Sequence, residues 1–323
     1  MRQEEIDERY MRRCIQLARM GWEGAPPNPM VGAVVVYDGR IIGEGYHRKC
    51  GGPHAEVNAI GSVTERNLLN RSTIYVSLEP CVHYGKTPPC AKLIIDSGIP
   101  RVVVGCKDPF ARVDGRGIDM LREAGKEVTV GVLEEECLWL NRRFITFHTQ
   151  HRPYITLKWA KSCDGFIDCR RKSAEDAPVA FSTATTRALV HKLRAENQAI
   201  CVGQRTWELD QPSLNVRHWH GADPLRVVLS SKGCRIGDET ATGISDIQGM
   251  LNELYQRDVQ SLLVEGGRET LQSFIDANLW DEARIETAPI ILTDGVKAPE
   301  IEGRKGEKML IDGNTIHYIY KKP

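Results

Sequence analysis

The run Thr73-Ile74-Tyr75-Val76-Ser77-Leu78-Glu79-Pro80-Cys81 decides the fold of the first half of the chain. The β-prone stretch 73–78 predicts a strand, and Cys81 is delivered at its carboxyl end. Eight residues, Val82 to Pro89, separate Cys81 from Cys90, which opens a helical pattern over 90–96. Upstream, His54-Ala55-Glu56 opens another over 54–60. One histidine and two thiolates fill three corners of a zinc tetrahedron, and water takes the fourth in a catalytic site. Glu56, two residues past the histidine, stands where it can pass a proton to and from that water without ligating the metal. The competing readings are a structural zinc and three unrelated buried side chains. Structural zinc takes four protein ligands, often as paired C-x-x-C knuckles, and the sequence has no such knuckle. His83 is the candidate fourth ligand, although it lies only two residues past Cys81.

Outward from this run the chain alternates strands and helices. Ile6, Tyr10, Cys14 and Leu17 recur at helical spacing over 4–20, and Gly21 follows as a stop. Met30 to Tyr37 is β-rich, and Asp38-Gly39 makes a tight turn into Ile41-Ile42. Strands near 102–105 and 128–132 alternate with helices near 90–96 and 120–124, which implies an α/β layered domain. Ligands in such sheets bind at the carboxyl ends of strands, where Cys81 and Asp108 fall. Residues 133–147 read as one helix closing this half. The polar segment 148–153, ending in Pro153, reads as a linker. The expected domains are therefore 1–147 and 152–323. The second holds strands near 155–159, 199–202, 226–229 and 261–264, with helices near 185–195, 246–256 and 269–277.

Among the 323 residues are 43 basic and 43 acidic side chains, a balance that offers no field for nucleic acid or an acidic membrane. A local basic patch can still hold a phosphate. No apolar run reaches the length of a membrane span. The charged start Met1-Arg2-Gln3-Glu4-Glu5-Ile6-Asp7-Glu8 lacks the apolar core of a signal peptide, so a cytoplasmic protein is expected. Most of the ten cysteines are then expected to be reduced, buried small hydrophobes.

The H-x-E and P-C…C pattern is similar to that of the zinc deaminases. The wider motifs narrow this. Asn28-Pro29-x-Val31-Gly32, His54-Ala55-Glu56-Val57-Asn58-Ala59 and the whole stretch Glu79 to Cys90 resemble the bifunctional riboflavin-biosynthesis deaminase–reductase family called RibD. Gly105-Cys106-Lys107-Asp108-Pro109 looks like a further family segment. The long Cys-to-Cys insert argues against nucleoside, tRNA-adenosine and DNA-cytosine deaminases. The resemblance implies a cytidine-deaminase-like α/β three-layer domain with one zinc. It also implies a phosphorylated pyrimidine substrate, 2,5-diamino-6-(5-phosphoribosylamino)pyrimidin-4(3H)-one, which loses its ring 2-amino group. By motif position Asn28, His83, Lys86 and Asp108 line the pocket, His54, Cys81 and Cys90 hold the metal, and Glu56 is catalytic.

The second half resembles the reductase domain of the same family, with a dihydrofolate-reductase-like α/β fold. The matching pieces are Arg152 to Lys158, Ser162-x-Asp164-Gly165, Leu193-Arg194-Ala195, Gly203-x-x-Thr206, Asp210-x-Pro212-x-Leu214-x-x-Arg217 and Val264-Glu265-Gly266-Gly267. The resemblance implies NADPH as cofactor, with Thr206, Asp210 and Gly267 against it. It makes Lys158 the catalytic candidate and puts Arg194, Leu214, Arg217 and Glu265 against substrate. Arg194 and Arg217 can each fork onto phosphate oxygens. The chain departs from the family at Cys163, Phe166 and Pro178-Val179-Ala180-Phe181-Ser182, where a tryptophan and a hydroxyl are expected. The alternatives are a deaminase whose second half binds ligand without reducing it, and a zinc-stabilised interaction protein. The resemblance implies a homodimer; nucleic acid and membrane are not expected partners.

Overall fold

A computed structural model describes residues 2–82, 88–109, 115–241, 244 and 246–322. The chain divides into two compact units, Met1–Gln150 and His151–Pro323. No helix among the described residues is long and apolar enough to cross a membrane.

The first unit runs α1 (Gln3–Arg19), β1 (Gly32–Tyr37), β2 (Arg40–Tyr46), α2 (Ala55–Gly61), β3 (Thr73–Leu78), α3 (Cys90–Asp96), β4 (Arg101–Cys106), α4 (Arg116–Glu123), β5 (Glu127–Val130), α5 (Glu134–Leu140) and α6 (Arg142–Gln150). Its sheet has the order β2-β1-β3-β4-β5, antiparallel up to β3 and parallel beyond. Asp38 and Gly39 both take positive φ, as the two-residue β1–β2 hairpin requires. Successive strand residues face opposite ways, so each face builds its own core. Ala33, Val35, Ile74, Val76, Val102 and Val104 pack on one face against Ala55, Ala59, Ile60, Ala91, Ile94 and Leu121. Val34, Val36, Tyr75 and Val103 pack on the other against Tyr10, Met11, Cys14, Ile15 and Leu17 of α1.

The single helix expected over 133–147 is two, α5 and α6, broken at Asn141. The Asn141 side chain accepts from the Met30 amide at 2.8 Å and donates to the Met30 carbonyl at 2.9 Å. A long-range tie of this kind leaves no trace in local periodicity. Helix α6 also runs through part of the expected linker, to Gln150.

The second unit runs β6 (Tyr154–Ser162), β7 (Phe166–Asp168), α7 (Ala184–Ala195), β8 (Ala199–Gly203), α8 (Gln204–Asp210), β9 (Leu225–Ser230), β10 (Gly233–Ile236), β11 (Glu239–Ala241), α9 (Ile247–Gln256), β12 (Ser261–Val264), α10 (Arg268–Asp276), β13 (Glu282–Ala288), β14 (Val296–Lys297), β15 (Arg304–Ile311) and β16 (Asn314–Tyr320). Nine strands form one sheet, β11-β10-β9-β8-β12-β6-β13-β16-β15. The strands β9, β8, β12, β6 and β13 are parallel, and antiparallel strands extend both edges. The sequence reading missed those edges. Strand β15 is almost wholly exposed and reads Arg-Lys-Gly-Glu-Lys, with a register shift between Lys305 and Lys308. Charges and a bulge suit an edge strand but erase the alternation that announces one.

One ion pair joins three elements of the first unit. Arg101 of β4 forks onto the buried Asp7 of α1 at 3.0 and 2.7 Å, and the Tyr75 hydroxyl of β3 donates to Asp7 at 2.8 Å. Burial pushes the Asp7 carboxyl up, but bonds from Arg101, Tyr75 and Gln3 outweigh it and hold the group below its ordinary value. Its stabilisation is therefore complete above the unfolded value near ~3.9 and is lost as pH falls through the folded value. Asp7→Asn is expected to cost about 3 kcal/mol at pH 7 in urea denaturation, and less at pH 3. A loss unchanged between the two pH values would show that the charge is not what stabilises.

Candidate active sites

In the first unit three elements converge. His54 is the extended residue preceding α2, and Glu56 lies in the first turn of that helix. Strand β3 ends just before Cys81, and Cys90 opens α3. One ligand atom from each of His54, Cys81 and Cys90 lies within 4.8 Å of the other two, the only such metal-type cluster among the described residues. The Cys81 and Cys90 sulfurs lie 3.5 and 3.3 Å from His54 Nδ1, and the Cys90 amide donates to the Cys81 sulfur at 3.4 Å. The Cys90 and His54 side chains hold the Cys81 thiol down, and Cys81 with burial pushes Cys90 up. Two sulfurs and an imidazole nitrogen this close fit a divalent ion with a fourth position left open. Glu56 is 3 % exposed, and burial, with the Cys81 charge, pushes its carboxyl up to about 7.

Asn28 donates from Nδ2 to His47 Nε2 at 3.1 Å, and His47 Nδ1 donates to the Pro53 carbonyl at 3.1 Å. The His47 and His54 rings meet edge to face at 5.3 Å, so Asn28 is tied to the cluster through His47, which the sequence reading did not single out. Asp108 is buried just past the end of β4. His83 and Lys86 lie outside the described residues.

The larger omission is Glu79. This acid sits inside the quoted motif, yet the sequence reading gave it no part. Its carboxylate is 4 % exposed and accepts from four backbone amides: Asp108 at 3.3 Å, Gly115 at 3.0 Å, Gly117 at 2.8 Å and Ile118 at 3.2 Å. Its own amide donates to the Cys106 carbonyl at 3.0 Å. A Cβ on Gly117 would stand 2.1 Å from the Pro80 carbonyl oxygen, so only glycine lets α4 lie against the turn that carries Cys81. An acid directly after an apolar strand, followed by glycines at a helix start, was the available signal.

In the second unit the parallel strands β8 and β12 end side by side. The Gly203 amide donates to the Gly266 carbonyl at 3.0 Å, and a Cβ on Gly267 would lie 3.1 Å from the Thr206 hydroxyl oxygen. Thr206 and Gly267 thus meet at the strand ends, where backbone can approach a dinucleotide. Asp210 is not turned to them; it pairs with Arg171 at 2.6 Å, and Arg171 also bonds Asp168 at 2.7 Å. Arg194 does not present a free fork either. Its Nε and Nη2 donate to the Glu265 carboxylate at 2.8 Å each, and Nη1 donates to the Asn215 carbonyl. A buried guanidinium takes the nearest carboxylate, and that pairing across sequence is invisible in a motif. Leu214 is 2 % exposed, its side chain packed with Leu193, Ile200, Val202, Val228 and Leu263. Arg217 is exposed and donates to the Ser213 hydroxyl. Lys158, on β6, is half-buried; burial pushes its amine down and Glu265 opposes this.

Comparison with known proteins agrees with both halves. Residues 4–106 match the cytidine and deoxycytidylate deaminase zinc-binding region, and residues 153–310 match the RibD C-terminal domain. The riboflavin biosynthesis protein RibD of Aquifex aeolicus is 38% identical over 95% of this chain and 93% of its own length. That of Actinobacillus pleuropneumoniae is 35% identical over 96% of this chain and 88% of its own. The crystal structure of a diaminohydroxyphosphoribosylaminopyrimidine deaminase/5-amino-6-(5-phosphoribosylamino)uracil reductase from Thermotoga maritima superposes with a TM-score of 0.86 at 35% identity. It covers 99% of this chain and 100% of the other. Acinetobacter baumannii RibD gives 0.87 at 30% identity, with the same coverage.

Glu79→Gln replaces one acceptor oxygen by a donor facing the amides it now binds. Exchange at the Gly115, Gly117 and Ile118 amides is expected to quicken at least about tenfold, since a hydrogen bond to a charged group is worth about 1.5–3 kcal/mol. Unchanged protection would show that other contacts hold this segment.

Proposed function

The chain belongs to the RibD family, and we propose that its two units perform successive steps of riboflavin biosynthesis, deamination in Met1–Gln150 and reduction in His151–Pro323. It is a bifunctional enzyme, similar to its relatives over nearly its whole length in both halves. A second unit that binds without reducing is not favoured, because the RibD C-terminal match runs through residues 153–310. The single observation that carries the deaminase reading is the His54–Cys81–Cys90 cluster with the buried Glu56 beside it.

In this reading His54 Nδ1 and the two cysteine sulfurs would hold one zinc. Bound zinc supplies the Lewis acidity that makes water nucleophilic near neutral pH. The substrate is 2,5-diamino-6-(5-phosphoribosylamino)pyrimidin-4(3H)-one, whose 2-amino group leaves as ammonia. Glu56 takes one proton from the attacking water and passes it to the ring nitrogen, then takes the remaining hydroxyl proton and passes it to the amine, which leaves as ammonia while the ring carbonyl forms. Asn28, steadied by His47, hydrogen-bonds the pyrimidine edge, and Asp108 lines the same pocket. His83 and Lys86 join it by motif position, Lys86 toward the phosphate.

The product, 5-amino-6-(5-phosphoribosylamino)uracil, is the substrate of the second unit. When bound, NADPH would supply the hydride for reduction of that product's ribosyl group to ribityl. Thr206 and Gly267 would receive the cofactor at the joined strand ends, while Asp210, expected there by motif position, is engaged by Arg171. Lys158, the Arg194–Glu265 pair and the segment Leu214–Arg217 form the substrate side. Arg217, exposed and bonded only lightly, suits the phosphate. The enzyme acts as a homodimer.

Glu56→Gln is expected to retain zinc and to lower ammonia release by about 10²–10⁴. The same variant should still oxidise NADPH when given the deaminated product. Lys158→Ala should behave in reverse, releasing ammonia but consuming no NADPH. Ammonia and NADPH assays on purified protein, with zinc content measured, check both; full deamination by Glu56→Gln would refute the proton role.

A further inference from the structure

Lys158 has a neighbour that the motifs do not mention. In the parallel ladder of β6 and β13, Arg284 is its direct register partner, and Glu286 pairs with Ala160. Ile155, Leu157, Ala283 and Ile285 enter the apolar core, so Lys158, Arg284 and Glu286 share the opposite face of the sheet. Like charges directly opposite each other in a sheet are destabilising. Here the second cation is also 2 % exposed, and neither of its terminal nitrogens has a hydrogen-bond partner. Its nearest acid is Glu286, 3.6 Å away and 0 % exposed. The Glu286 oxygens are already engaged, accepting from the Ser182 hydroxyl at 3.1 Å and from Asn314 Nδ2 at 2.7 Å.

The ammonium of Lys158 itself makes no ion pair among the described residues. Glu265, the acid that most opposes its loss of charge, is forked by Arg194. Three cations, Lys158, Arg194 and Arg284, stand with the carboxylates Glu265 and Glu286, and a third, Glu282, is 5 % exposed two residues before Arg284 on the same face, where it accepts from the Tyr154 hydroxyl. The other titratable groups packed around them include His191 of α7, against Glu265, and Tyr318 of β16, the register partner of Arg284, which Glu282 and Glu196 also act on. A purely structural sheet has no use for this arrangement, since apolar residues of similar volume are at least as stable as buried charge.

Resting on the reading of this unit as the reductase, we propose that Arg284 and Glu286 are positioning residues for Lys158, an electrostatic bracket on the adjacent strand that governs where and in what charge state its amine meets substrate. Arg284 disfavours the ammonium from one side and Glu286 favours it from the other. Neither needs to touch the substrate. Ser182, in the segment that departs from the family pattern, enters the same network through Glu286, so this chain anchors that segment with its own side chains.

The two members act with opposite sign, and that separates a bracket from mere support. In the full-length enzyme, acylation of Lys158 by acetic anhydride, followed by mass spectrometry across pH, reads the amine directly. NADPH oxidation with the deaminated intermediate reads it through turnover. Removing the cation in Arg284→Met is expected to raise the midpoint at Lys158 by about one pH unit. Removing the anion in Glu286→Gln should lower it, and Arg284→Lys should keep it near the wild-type value. Ammonia release and melting temperature control for folding. Superimposable midpoints in Arg284→Met and wild type, or shifts of both variants in the same direction, would overturn the bracket. A wild-type enzyme with a normal acylation profile that consumes no NADPH would instead count against the reductase reading, with the acylation midpoints still deciding the bracket. Should Arg284→Met not fold, a lowered midpoint in Glu286→Gln beside an unchanged one in Arg284→Lys supports the bracket, and an unchanged midpoint in Glu286→Gln overturns it.

Discussion

The carboxylate of Glu79, taken almost wholly out of water, holds the first unit's site in place. A buried anion must be met by donors, and this one is met by four main-chain amides. Those amides belong to the end of β4 and the start of α4, whereas Glu79 itself sits between β3 and Cys81. One side chain thus ties the turn that carries a candidate zinc ligand to the segment that carries Asp108. Through Cys81 that tie reaches the His54–Cys81–Cys90 cluster. His54 comes from the start of α2 and Cys90 from the start of α3, and both helices pack on the sheet face whose strands end at the cluster. Glu56, in the first turn of α2, is pushed up first by burial and then by the Cys81 charge.

The second unit meets the same constraint with paired charges. Arg152 forks onto Asp281 at 2.6 and 2.7 Å, fastening the start of β6 to the start of β13. Arg194 forks onto Glu265 and fastens α7 to the end of β12. Arg171 stands between Asp168 and Asp210. Among these arginines Arg171 keeps one terminal nitrogen without a hydrogen bond, and Arg284 keeps both. The two faces of the nine-stranded sheet accordingly differ in kind: one is a continuous apolar core, and the other is polar along β6 and β13.

Where the sequence was legible, the reason was local. Strands β3 and β12 read cleanly because their apolar runs are short, β-prone and sharply ended, by Pro80 in one case and by Gly266-Gly267 in the other. The hairpin at Asp38-Gly39 read cleanly because few residues accept its backbone. The metal-type cluster was legible because imidazole and thiolate at those spacings have few other uses together. What escaped notice was long-range. Asn141 breaks a helix for the sake of Met30, more than a hundred residues away in sequence. Asp210 and Arg194 look free in a motif and are engaged in the fold. The strands β13 to β16 were missed because β13 carries buried charge and β15 carries exposed charge, and both erase the pattern by which a strand is recognised.

By itself, then, the sequence determined the two-part α/β plan and the chemistry that the first unit can do, because hydrophobic spacing and ligand type are properties of neighbours along the chain. Only the tertiary structure decided which charges are spent on one another and which remain for a ligand. That division depends on which strand lies beside which, and the pairing of β6 with β13, which sets Arg284 beside Lys158, joins residues far apart in the chain by hydrogen bonds that no local pattern encodes.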